Sequence, residues 1–228
     1  MDGPNLRALD VFVTGGTGYM GTKLVPVLLE RGHRVTVLVR PGSEHKVPRG
    51  SIPAVGDVLS RSSIAEALPA NALVVHLVGT PRPSPRKAAQ FEALDFVAAR
   101  ECIAAARDGG ARRIVYVSVA QPAPVMRAYV DVRRRVEILL RQSGVAHTVL
   151  RPWYVLGPGH RWPYALAPMY WLLGALPPTR ASAQRLGLVT LSQMIAALVH
   201  AVETSGDSPV LLDVPAIRRV PPVQKTTA

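Results

Sequence analysis

Cysteine is nearly missing from this chain: Cys102 is the only one in 228 residues. One thiol cannot close an internal disulfide, so stability has to come from a buried core. Set in an apolar helical stretch, Cys102 itself reads as a small buried hydrophobe. Metal-ligand spacing is missing too. His33, His45, His76, His147, His160 and His200 are dispersed, and none stands at a ligand interval from Cys102. No apolar run reaches the roughly 20 residues that cross a bilayer, and Met1 to Asn5 lack a basic-then-apolar leader pattern. These absences predict a soluble protein of a reducing, cytoplasmic setting.

Acidic side chains are scarce as well, 15 against 27 basic ones, giving a formal net charge of +12. Lys23, Lys46, Lys87 and Lys225 are the only lysines, so the excess is arginine. It is scattered: Arg82/Arg86/Lys87, Arg112/Arg113, Arg133 to Arg135, Arg218/Arg219. A nucleic-acid binder concentrates its cations in one stripe interleaved with aromatics. Scatter of this kind predicts a solvated surface with a few phosphate contacts, and leaves RNA or an acidic membrane as minor alternatives. Internal repeats are absent.

What is present is an alternation of apolar strands and helical stretches. Strands are expected at Val11–Val13, Val35–Val39, Ile52–Val55, Leu73–Val78, Ile114–Ser118 and Thr148–Leu150, with a last short one at Leu211–Val214. Helices are expected near 19–31, 61–68, 88–108 and 128–142. Ser63-Ile64-Ala65-Glu66 is expected to cap the second, and Thr190-Leu191-Ser192-Gln193 to open another. The pattern predicts an α/β fold, a Rossmann-like doubly wound parallel sheet covered on both faces. One domain is expected over 9–214, with a small C-terminal substrate lobe inserted at 153–190 and loose tails at 1–8 and 219–228.

Chemistry enters at Thr14-Gly15-Gly16-Thr17-Gly18-Tyr19-Met20-Gly21, directly after the first strand and before the first helix. A strand feeding a glycine turn into a helix N-terminus makes a cradle for a dinucleotide pyrophosphate. Gly15 allows the turn, Gly18 the close approach of backbone to phosphate, and Gly21 the packing of helix on strand. The helix adds unpaired N–H groups and the positive end of its dipole. In NAD-binding units an acidic residue about 20 positions later receives the ribose 2′-hydroxyl. Here the second strand closes on Arg40, with Ser43 and Lys46 nearby. A guanidinium pairs with a 2′-phosphate, which predicts NADP over NAD; the alternative is a solvated strand end.

Together with Gly56-Asp57-Val58, Val115-Tyr116-Val117-Ser118 and Leu150-Arg151-Pro152, these elements resemble the atypical NAD(P)-binding branch of the short-chain dehydrogenase/reductase superfamily. The resemblance covers most of residues 10 to 203. It implies cofactor contacts from Gly15, Thr17, Gly18, Tyr19, Met20 and Gly21, with Asp57 and Val58 at the adenine. Gly79, in His76-Leu77-Val78-Gly79-Thr80, would stand near the cofactor ribose, while His76 reads as a hydrogen-bonded core histidine. Family catalysis uses a Ser, a Tyr acting as acid, and a Lys four residues after it. A phenol of pKa about 10 needs a fixed cation to exchange protons near neutrality.

This chain offers Ser118, Tyr129 and Arg133 in those places. The lysine is missing. Arg133 keeps the charge, but its fork is larger and planar. It also starts an i, i+4 series with Glu137 and Arg141, so an Arg–Glu–Arg ladder on a solvated face is the alternative. Trp153 and Tyr154 are candidates for the cofactor or substrate wall. The aromatic-rich stretch through Trp162, Tyr164, Tyr170 and Trp171 would line a pocket, pack a lobe, form an oligomer interface or touch a membrane. The implied activity is NADP(H)-dependent reduction of a small hydrophobic, carbonyl- or quinone-like molecule. The alternative is a non-catalytic NAD(P)-binding sensor or accessory subunit.

Overall fold

β1 (Asp10–Thr14) shows why the sheet lies in the middle of the molecule. Val11 and Val13 point to one side and Phe12 to the other, and all are buried. A strand apolar on both faces needs cover on both. The computed structural model describes residues 8–123, 125–158, 186–204, 206 and 208–223. Within them β1 pairs in parallel with β2 (Arg34–Val39) and β4 (Leu73–His76). Parallel pairing continues outward through β3 (Ile52–Val55) on one side and through β5 (Arg113–Val117) and β6 (His147–Arg151) on the other. A short ribbon of β7 (Tyr154–Leu156) and β8 (Leu188–Thr190) stands apart, and β9 (Val210–Asp213) closes the sheet beside β6. The resulting order is β3-β2-β1-β4-β5-β6-β9.

Two apolar layers sandwich this sheet. On one face α1 (Gly21–Glu30), α6 (Leu191–Glu203) and α7 (Val214–Arg219) bring Leu24, Leu28, Met194, Leu198 and Ile217 onto Val11, Val13, Val37 and Val115. On the other, α2 (Arg61–Ala67), α4 (Val97–Asp108) and α5 (Arg127–Gln142) bring Ile64, Cys102, Val136 and Leu140 onto Phe12, Leu38 and Tyr116. The fold is the Rossmann-like α/β sheet that the sequence pattern predicts. α3 (Ala88–Gln90) runs into α4 through a π-helical turn, Phe91–Phe96. Such insertions recur at functional sites, and this one carries Asp95.

Several boundaries differ from expectation. β4 ends at His76: Leu77 N still donates to Thr14 O, and the chain then passes close over Gly15 at Leu77 and Val78. Val214, expected to end the last strand, instead starts α7, a helix that the sequence reading did not assign. The second helix is capped by Ser60, whose Oγ accepts from Ser63 N, and not by a box beginning at Ser63. Ser63 instead sits inside the helix, and its Oγ accepts from Asp57 N. The Thr190 box forms as expected: Gln193 N donates to Thr190 Oγ1, and Gln193 Oε1 accepts from Thr190 N. Trp162, Tyr164, Tyr170 and Trp171 lie outside the described residues.

Candidate cofactor and catalytic site

The strand order reverses direction between β1 and β4, and a crevice opens there at the C-terminal ends of the strands. The glycine turn fills its lower edge. Gly15 holds φ +78, a left-handed conformation, and an added Cβ would press on the Leu77 carbonyl at 3.0 Å. A Cβ on Gly21 would overlap the Gly15 carbonyl oxygen and the Gly16 Cα. Gly18 donates its N–H to Gly15 O at 3.0 Å, closing the turn, and is itself exposed. Met20 supplies no side-chain cap to α1; Thr22 N donates to Gly18 O and Lys23 N to Met20 O, which leaves the Gly21 N–H of the first turn without a partner among the described residues and open to an anion. These residues fit a dinucleotide pyrophosphate by backbone geometry.

A cavity of about 470 Å³ joins this cradle to the second half of the sheet. Gly15, Gly18, Tyr19, Met20 and Gly21 form one wall. Leu77 through Pro83 form another, and Val117, Tyr129 and Arg133 close it. The fold thus brings Tyr129 and Arg133 to the glycine turn from more than a hundred residues away. Tyr129 is half-buried, with its ring 5.1 Å from that of Phe91 and the Arg133 guanidinium 5.0 Å from its centroid. That contact is over the ring face and not to the hydroxyl. A larger, more open cavity of about 690 Å³ lies against another face of α5, between Gln121, Arg127, Arg134 and Arg151, and shares no residue with the glycine turn.

Behind the wall lies a buried polar cluster. Arg133 Nη2 donates to Asp95 Oδ1 at 2.6 Å, and Nη1 donates to Tyr116 Oη at 3.0 Å and to the Val117 carbonyl at 3.2 Å. Asp95 Oδ2 accepts from Thr80 N and Thr80 Oγ1 at 2.9 and 2.5 Å. Gly79 has no room for a side chain here, since a Cβ would meet Arg133 Nη2 at 2.5 Å. Arg133 is 4% exposed and Asp95 fully buried. Burial works against the guanidinium charge, but the oxygens of Tyr116, Tyr129 and Asp95 outweigh it and hold its pKa above the ordinary value. Arg133 Nε keeps no partner among the described residues. Burial pushes Tyr116 up to about 12, against the pull of Arg133. At the end of β4, His76 Nδ1 meets Thr14 Oγ1 at 2.8 Å, the core histidine expected. Burial, then the Arg133 charge, pushes its pKa down to about 3, so the ring is neutral at any working pH.

The ladder alternative for Arg133 is corrected by this arrangement. Arg133 and Glu137 are both buried, and Arg133 spends its donors on Asp95 and not on Glu137. Glu137 anchors a second network: Ser118 Oγ and Gln121 Nε2 donate to its Oε1 at 2.6 and 2.7 Å, and Arg151 grips it with Nε and Nη2 at 3.0 and 2.5 Å. Arg141 reaches Glu137 only at 3.9 Å. Ser118 therefore directs its proton into this network and is not part of the cavity wall with Tyr129. Trp153 stacks edge-on with Tyr154 at 5.3 Å and is likewise not in that wall.

Toward the other end of the crevice, Arg40 is exposed just past β2, and Asp57 and Val58 follow β3. Asp57 Oδ1 accepts from Leu59 N at 2.9 Å, shaping the turn that carries both residues. Sequence reasoning missed Asp95 and Thr80. The available signal was an acid in the apolar stripe of a helix, between Leu94 and Phe96 and three and four residues before the buried Ala98 and Ala99.

Residues 15–161 match the family model described as NAD(P)H-binding. The chain belongs to this family, within the atypical short-chain dehydrogenase/reductases. Among curated relatives, this family member is 30% identical over 223 residues to 3-diazoavenalumate denitrifying reductase of Streptomyces sp, covering 85% of this chain and 72% of that protein. It is 30% identical over 151 residues to ceramide reductase of Caulobacter vibrioides, covering 65% of this chain but only 47% of the relative. The fold is similar to that of the Bordetella bronchiseptica enzyme WbmH in complex with NAD+, with TM-score 0.66, 18% identity, and coverage of 89% and 75% of the two chains.

Proposed function

We propose that this protein is an NADP(H)-dependent oxidoreductase acting on a small hydrophobic, carbonyl- or quinone-like substrate. The observation that carries the reading is a single cavity walled jointly by the glycine turn and by Tyr129 with Arg133. Gly15, Gly18 and Gly21 would leave room for the pyrophosphate to approach, and Thr17, Tyr19, Met20 and Gly21 would hold it through backbone N–H groups. Arg40, exposed at the end of β2, would pair with a 2′-phosphate, and Asp57 and Val58 would border the adenine. When bound, the nicotinamide supplies or takes the hydride. Tyr129 would move the accompanying proton at its hydroxyl. Arg133, with Nε unpartnered, would offer that donor to a ribose hydroxyl near Gly79. Two reductases among the relatives favour the same class of reaction.

Two observations favour a second reading, a cofactor-binding protein without turnover. The Arg133 charge is neutralised by Asp95 at 2.6 Å, and the Ser118 proton is committed to Glu137. NADPH oxidation across a carbonyl and quinone panel, run beside Tyr129→Phe, separates the readings. Reduction by the parent with a loss of about 10²-fold or more in the variant is expected for a proton-transferring group. NADPH binding with no turnover of any panel member would leave the sensor reading standing.

A further inference from the structure

The cavity wall carries two arginines and no carboxylate. Arg133 is balanced from behind by Asp95, which lies outside the lining. Arg82 is not balanced: it is exposed, and no described residue forms a hydrogen bond or ion pair with it. Its backbone is also unusual. Arg82 sits at φ +48 between Pro81 and Pro83, a left-handed conformation that a side chain beyond glycine adopts at a cost. Neither neighbouring proline can donate a hydrogen bond, so the loop is held another way: Lys87 Nζ donates to the Pro81 carbonyl at 2.6 Å. Thr80, one residue before Pro81, is pinned by Asp95 through both its N–H and its hydroxyl. A disfavoured turn, pinned at the two residues that precede it, delivers a guanidinium with no partner among the described residues to an otherwise largely apolar cavity mouth.

We infer that Arg82 is an oxyanion-binding residue of this cavity, taking a carboxylate or phosphate group of the ligand bound there. The inference deepens the proposed oxidoreductase and rests on its assignment of the cavity. It adds a charge requirement: a ligand with an apolar body and an anionic end, matched to the planar fork of a guanidinium. The glycine turn already supplies backbone N–H groups for one anion at the opposite wall. Arg82 serves a second, either a carboxylate on the substrate or a further phosphate oxygen of the cofactor.

The test titrates wild type, Arg82→Ala, Arg82→Lys and Arg82→Gly by calorimetry with NADPH, inorganic pyrophosphate, 4-formylbenzoate and its uncharged methyl ester. The aldehydes are run both on the ligand-free protein and with NADP+ present. Wild type should bind the carboxylate at least tenfold tighter than the ester. Arg82→Ala should erase that preference, and Arg82→Lys should keep part of it. Arg82→Gly should raise the melting temperature by a few degrees, because glycine tolerates the turn, while losing the anion like Arg82→Ala. A tenfold loss confined to NADPH or pyrophosphate would assign the oxyanion to the cofactor instead of the substrate. Equal affinities of wild type, Arg82→Ala and Arg82→Gly for all four probes would overturn the proposal. A wild type that ignores NADPH yet binds 4-formylbenzoate through Arg82 would sink the oxidoreductase reading alone.

Discussion

The two ends of the crevice are built by different means. Around β1, α1 and β2 the work is done by backbone: glycines that leave no room for a Cβ, an uncapped helix start, and exposed Arg40 and Asp57 at strand ends. Around β4, β5 and α5 it is done by buried side chains that hold one another, Asp95 with Arg133 and Thr80, Glu137 with Ser118 and Arg151. Backbone sites tolerate change in exposed neighbours but not in the glycines. Side-chain networks are coupled, so losing one member leaves a partner buried and uncompensated.

The sharpest way to break the comparison is Asp95→Ala. Removing the carboxylate leaves the Arg133 guanidinium 4% exposed and without a counter-charge, a loss of about 3–5 kcal/mol in chemical denaturation. Restoring neutrality with Asp95→Ala/Arg133→Met should recover much of that, since the charge no longer has to be buried. Two equal losses that add would show that the pair is not coupled. In the backbone half, the corresponding change is Gly21→Ala. Its Cβ would overlap main-chain atoms of Gly15 and Gly16, for which about 1–3 kcal/mol of overpacking is expected. NADPH affinity should fall at least tenfold with it, because the turn that must move is the cradle.

A smaller effect separates the halves by pH. His76 titrates at about 3 in the folded protein, below its ordinary 6.5, through burial and then the nearby Arg133. The unfolded chain therefore binds a proton that the folded one refuses, and stability falls as pH drops below 6.5 toward 3. The slope from this residue is about 1.4 kcal/mol per pH unit. His76→Gln can keep a hydrogen bond to Thr14 and has no proton to refuse. Its stability curve should be flatter than that of the parent by that slope over this window. Parallel curves would show that His76 does not titrate as its surroundings demand.

The same division explains what could be read from the sequence. The cradle was legible because its rule is local: a strand, glycines at fixed spacing, then a helix, all within residues 10–30. The parallel sheet covered on both faces followed from the alternation of apolar strands and helices, whereas its strand order did not. Arg133 was placed four residues after Tyr129 but given the wrong alternative partner, since an i, i+4 series is visible in sequence and a contact to Asp95, 38 residues away, is not. Ser118 failed to reach the cavity for the same reason: Glu137 claims its hydroxyl from 19 positions along the chain. Among the described residues short β7 and β8 pair only with each other, across more than thirty residues, so no local period announces them.

The smallest predicted effect tests the backbone half by an exposed side chain. Arg40 is exposed beyond β2, and no described residue forms an ion pair with it, so Arg40→Ala should change ligand-free stability by no more than about 0.5 kcal/mol. If Arg40 pairs with a 2′-phosphate, the cost appears only with the phosphorylated nucleotide. A lost charge-assisted contact of about 1.5 kcal/mol corresponds to roughly tenfold in affinity. The thermal shift from NADPH should then shrink toward that from NADH, which should stay where it was. Matching losses for both nucleotides would place Arg40 on the cradle itself instead of on the ribose. No change for either would make it the solvated end of a strand, and the choice between the two coenzymes would pass to Ser43 and Lys46.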